Sequence, residues 1–84
     1  AVEVLATIGS GGVARAAYLG RVAQLERAAR VAEVRRTGSI LRAQLEACER
    51  VLREQTLNPA QRARLAAQAD ELRRAIRELH ALLP

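Results

Sequence analysis

Three features predict an all-α fold: apolar residues recurring at alternating spacings of three and four, a helix start at Asn58-Pro59, and acids placed four residues before arginines. The pattern resolves into an amphipathic helix over about 13–37, followed by a helical hairpin of about 39–56 and 59–83. A three-helix or coiled-coil-like assembly is the expected architecture, with residues 1–12 as a separate N-terminal segment and 13–84 as the helical domain.

The N-terminal segment AVEVLATIGSGG is nearly uncharged and closes on Gly9, Ser10, Gly11 and Gly12, which break any helix. Ala1 to Ile8 suits a short strand or a helical turn laid on another surface. From Val13 to about Arg36, the residues Tyr18, Val22, Leu25, Ala29 and Ala32 form one apolar stripe. Thr37, Gly38 and Ser39 interrupt it, and a glycine inside a helix costs about 1 kcal/mol relative to alanine.

Leu41, Leu45, Cys48 and Leu52 set a second register that extrapolates back through Gly38, Val34 and Val31 rather than through Ala29 and Ala32. A helix whose apolar face changes at residues 31–34 either meets two neighbours there or breaks at Gly38 and turns. The break is the preferred expectation.

Leu57-Asn58-Pro59-Ala60-Gln61 carries a favoured N-cap, a proline at the first helical position and a glutamine able to reach back to the cap. The helix that starts there has Leu65, Ala69, Leu72, Ile76, Leu79 and Leu83 at a/d spacing. The short connection before it predicts an antiparallel hairpin. Glu26–Arg30, Glu46–Arg50, Glu49–Arg53 and Asp70–Arg74 are the expected helix-surface ion pairs.

Composition limits the core. The chain has 84 residues, of which 18 are Ala and 12 Leu, with one Tyr and no Phe, Trp or Met. Alanine buries little area, so at roughly 25 cal/mol per Å² the apolar half of the sequence stabilises less than its share suggests. Completion of the leucine stripes by another chain, a copy of itself or a different helical protein, is therefore expected. Val22, Leu25, Leu41, Leu45, Leu52, Leu65, Leu72, Ile76 and Leu79 are the candidate packing residues.

Enzymatic chemistry finds few groups: one His, one Cys, one Asp and no Lys. In the predicted hairpin Cys48 lies opposite about residue 66, which puts His80 on the order of 20 Å away at about 1.5 Å per residue. No thiol–imidazole dyad forms in that arrangement, and Cys48 reads as a small buried residue. His80 falls in the last helical turn, facing the negative end of the helix dipole. No metal-ligand spacing, cofactor motif or phosphate-binding loop is present, so neither cofactor nor metal is expected. The longest uncharged run, Val4 to Ala14, has 11 residues against the roughly 20 that span a bilayer. A lone cysteine suits a reducing, cytoplasmic setting.

The formal net charge is +5 and all 14 basic residues are arginine. Arg15, Arg21, Arg27, Arg30, Arg35 and Arg36 concentrate the excess in the first helix and are the candidate phosphate contacts for non-specific nucleic-acid binding. Glu26 and Glu33 interrupt that run, and no aromatic platform is available to stack bases, so a solvated helix face is the simpler reading.

The stretch Ile40–Leu83 is similar to the co-chaperones that hold type III secretion needle subunits in the bacterial cytoplasm, through Ala60, Leu72, Ala75, Ile76 and His80. The Asn58-Pro59-Ala60 turn also resembles that of the needle subunits themselves. The likeness covers about half the chain, and the last helix lacks aromatic residues. It implies a small cytoplasmic chaperone, an alternative to the main expectation of a non-enzymatic structural or adaptor subunit. A helical filament subunit is a further alternative.

Overall fold

The computed structural model of the chain describes residues 12–84, and the predicted N-terminal segment lies, but for Gly12, outside the described residues. Three helices pack against one another: α1 (Val13–Ala23), α2 (Arg27–Glu54) and α3 (Pro59–His80). The longest and most extensively packed pair, α2 and α3, forms an antiparallel hairpin, and α1 lies across both.

The hairpin turn is built as its sequence dictates. Asn58 Oδ1 accepts from the Gln61 backbone N–H at 2.8 Å, and Gln61 Oε1 accepts from the Asn58 N–H at 3.1 Å. Two of the free backbone donors at the α3 start, those of Asn58 and Gln61, are thus satisfied, with Pro59 supplying a fixed φ in the first turn. Midway along the hairpin the Cys48 thiol donates to the Leu65 carbonyl at 3.2 Å, one residue from the expected register. Gly38 faces Leu79 and His80 at the open end.

The first corner differs from expectation. α2 runs unbroken through Thr37-Gly38-Ser39, and the chain turns instead at Gln24-Leu25-Glu26, where neither glycine nor proline marks it. Val34 and Leu41, on either side of Gly38, are almost completely buried. Their burial contributes several times the roughly 1 kcal/mol that the glycine costs. Turning at residues 24–26 folds α1 back so that Tyr18 and Val22 join Val34, Leu41, Leu72, Ala75 and Leu79 in one core. Leu25 is left in the turn at 40% exposure, so the predicted stripe from Tyr18 to Ala32 is not a continuous face. The change of register at residues 31–34 is the meeting of two neighbours on one helix, not a break.

The presence of α1 also rotates the buried face of α3 away from the predicted seam. Ala69, Leu72, Ala75 and Leu79 are buried, while Leu65, Ile76 and Leu83 of the predicted seam are only half-buried. Ala75 faces α1, which is why an alanine outside the a/d series is covered and an isoleucine within it is not.

None of the four expected acid–arginine pairs closes. Arg73 takes both Asp70 at 2.9 Å and, across the hairpin, Glu49 at 2.8 Å, while Arg74 turns to Glu71 at 2.6 Å. Glu26 sits before the first turn of α2 rather than on its surface. Only Glu49 finds its arginine across the hairpin, while Asp70 and Arg74 pair along α3 at spacing three instead of four.

An alanine Cβ at position 38 would lie 3.8 Å from Leu79 Cδ2 and 3.9 Å from His80 Nε2, ordinary contact distances. Gly38→Ala is therefore expected to raise stability by up to about 1 kcal/mol, read as a higher urea midpoint at unchanged slope. Leu41→Ala, at the fully buried centre, is expected to lower it by about 2–5 kcal/mol in the same titration.

Candidate functional site

Two surfaces of the hairpin differ in what covers them. One groove between α2 and α3 receives α1, and among the described residues the other is open.

On the covered side α1 is held by polar contacts at both flanks. Arg15 is buried and donates to Glu71 at 3.0 Å and pairs with Glu78 at 3.2 Å, two acids seven residues apart on one face of α3. The Tyr18 hydroxyl donates to Glu33 at 2.5 Å and lies 2.8 Å from Thr37 Oγ1, which itself donates to Glu33 at 3.1 Å. Burial first, and the Glu33 carboxylate second, push the Tyr18 phenol up to about 12. The hydroxyl bond from Tyr18 is the main reason that Glu33 is held below the usual carboxylate range, with Arg36 and Thr37 assisting.

The candidate phosphate contacts are divided by this arrangement. Arg15 is buried on Glu71 and Glu78 and so is not available as expected, while Arg36 pairs with Glu33 at the surface, its side chain 67% exposed. Arg30 reaches back to the Ala23 carbonyl at 3.4 Å, and its Nε is buried without a partner among the described residues. Arg21, Arg27 and Arg35 are exposed and make no ion pair among the described residues.

The candidate packing residues are divided as well. Val22, Leu41, Leu72 and Leu79 are consumed by the chain's own core. Leu45, Leu52, Leu65 and Ile76 remain half-buried along the hairpin. Leu45 and Ile76 form the floor of the open groove, bordered by Arg42 and Glu49 on α2 and by Arg73 and Arg77 on α3. Arg73 lies two residues from Glu71, about 200° around α3, so this groove faces away from α1. Glu49, first, and Asp70 hold the Arg73 guanidinium firmly in its charged form. Arg42 contacts His80, and Arg77 has no acidic partner among the described residues.

Cys48 is buried against Leu65, and His80 lies beside Gly38 and Arg42 at the other end of the hairpin, so the two share no site. No group of three or more metal-ligating side chains occurs among the described residues, and no described helix is long and apolar enough to cross a membrane. Sequence reasoning missed Glu33, Thr37, Glu71 and Glu78 as anchors of α1. The spacing of Glu71 and Glu78 was a usable signal, since it places two acids on one face within reach of one guanidinium. Compared with known proteins, the chain matches no family model, no curated protein and no solved structure.

Tyr18 is the sole tyrosine, and the chain has no tryptophan, so tyrosinate absorbance reports it directly. Its phenol is raised from 10.0 in an open chain to about 12 when folded. The stability this confers is complete below pH 10.0 and is lost as pH rises towards about 12. Spectrophotometric titration of native and urea-unfolded protein should give midpoints separated in that sense, and Tyr18→Phe should flatten the alkaline loss of stability. Arg15→Ala is expected to cost about 1–3 kcal/mol by removing its buried packing and leaving Glu78 without a partner, Glu71 keeping Arg74, whereas Arg15→Met, which keeps the packing, should cost less.

Proposed function

We propose that this chain is a non-enzymatic helix-packing subunit that docks an amphipathic helix of another protein in the open α2–α3 groove. The observation that carries the reading is the half-buried pair Leu45 and Ile76, lying between arginine-bearing rims on the face opposite α1. Two parallel ridges with an apolar floor accept a third helix as the other side of the same hairpin accepts α1. With Arg73 taken by Glu49 and Asp70, the rims leave Arg42 and Arg77 against Glu46, and the chain has a net charge of +5, so the complementary helix carries acids beside its apolar stripe. A structural subunit, an adaptor and a small chaperone are all forms that such docking takes, and a filament subunit would require head-to-tail repetition of it.

A second reading, non-specific nucleic-acid binding, is favoured by the exposed arginines Arg21, Arg27 and Arg35. Its weakness is that Arg15 is withdrawn into buried ion pairs and that Glu33 offsets the charge of Arg36.

The test is titration with a helical peptide of leucine heptads flanked by Glu, beside the same peptide flanked by Lys. Binding of the Glu peptide at least tenfold tighter, abolished by Ile76→Asp with helicity retained, is the expected result. Equal affinity for both peptides, or indifference to Ile76→Asp, removes the proposal. Retention of duplex DNA that declines steeply with salt and is weakened by Arg27→Ala and Arg35→Ala would establish the second reading instead.

A further inference from the structure

The groove that receives α1 is longer than α1. On α2 the α1-facing stripe passes from Thr37 through Gln44 to Val51, successive positions seven residues apart. On α3 the matching stripe passes back from Glu78 and Glu71 to Arg64, again at intervals of seven. α1 has 11 residues and so covers about 16 Å at about 1.5 Å per residue. Its contacts run from Ala23, beside Arg30, through Tyr18, beside Glu33 and Thr37, to Arg15, beside Glu71 and Glu78. Thr37 is buried and Gln44, next on its stripe, is exposed, so cover by the described residues ends between them. Beyond Arg15 the same groove continues towards the hairpin turn, lined by Val51, Leu57, Leu65 and Gln68 with Arg64 on its rim. Val51, Leu57 and Leu65 are half-buried there.

α1 runs antiparallel to α2, so its N-terminus points along the groove into this uncovered stretch. Residues 1–8, AVEVLATI, hold four bulky apolar side chains (Val2, Val4, Leu5 and Ile8) and one charge, Glu3. The distal groove offers three half-buried apolar side chains and one rim cation, Arg64, with no ion pair among the described residues. Length is sufficient: at about 3.3 Å per extended residue, the segment before Gly12 reaches well past the turn. Gly9, Ser10, Gly11 and Gly12 allow the chain to change direction between α1 and whatever precedes it. Gly12 itself has φ 84°, a conformation that side-chain-bearing residues rarely adopt.

We infer that residues 1–8 of this chain dock in the distal part of the α1 groove, over Val51, Leu57 and Leu65, with Glu3 at the Arg64 rim. The inference is independent of the proposed helix docking, which uses the opposite face of the hairpin.

The full-length chain with Cys48→Ala, Leu5→Cys and Gln68→Cys tests it by mild oxidation at a concentration where the protein is monomeric. An intrachain disulfide is expected, at a yield at least several-fold above that of a control in which Ala43→Cys, on the outer face of α2, replaces Gln68→Cys. Disulfide-linked dimers in place of the intrachain product assign the groove to a second copy and overturn the proposal. Equal yields for the two pairs overturn it as well. In the unmodified chain, backbone amides of residues 4–8 should exchange at least about tenfold more slowly than in an open peptide, and Leu5→Asp should remove that protection while leaving α1 protected. Open-peptide exchange rates at those amides in the unmodified chain reject the docking whatever the disulfide variants do.

Discussion

The structure depends on the seating of α1 in one groove of the α2–α3 hairpin. Two helices alone present only one line of contact, and in a chain so rich in alanine that line holds few large side chains. Tyr18 and Val22 add the volume that encloses Leu41, Leu72 and Leu79 from a third side. The tyrosine brings a hydroxyl into the core, and that hydroxyl needs a partner, since an unpaired buried polar group costs about 1–3 kcal/mol. Glu33 and Thr37 supply it, one turn apart on α2. The helix is fixed in rotation by Tyr18 on one flank and by Arg15 on the other, with apolar contact between them.

This seating separates the hairpin into two unlike faces. The α1 side is closed near Gly38 and open towards the turn, while the opposite side is open around Leu45 and Ile76. Apolar surface that α1 does not reach is therefore divided between the stretch around Val51, Leu57 and Leu65 and the groove around Leu45 and Ile76. Charge follows the same division. The acids of α3 that face α1 are neutralised by a buried arginine, whereas the opposite groove is bordered by more arginines than acids.

The energetic difference between the two kinds of ion pair explains why sequence spacing misjudged them. A pair along one helix contributes roughly 0.2–0.5 kcal/mol, too little to hold a side chain against a competing acceptor. Arg73 joins Asp70 and Glu49 together, linking two helices with one guanidinium, and its planar fork suits that arrangement. Of the four expected acids only Glu49 is taken across the hairpin, which spacing within a helix does not reveal; Asp70 is taken at spacing three on its own helix.

Helical content, the capped turn at Asn58-Pro59 and the pairing of α2 with α3 were all legible in the sequence, because each depends on residues close together in the chain or on a repeating period. Cys48 could be placed within one residue of its true neighbour by the same reasoning. The change of apolar register at residues 31–34 was visible too, but its meaning was not: a helix that meets two neighbours and a helix that breaks leave the same pattern. Tertiary packing decided between them, because burial of Val34 and Leu41 outweighs the local cost of Gly38, and because a turn without glycine or proline at residues 24–26 is stabilised by what α1 then covers. Which leucines are buried and which arginines stay exposed followed from that choice, since it is the position of α1, set by contacts far apart in sequence, that assigns each side chain to the core or to the surface.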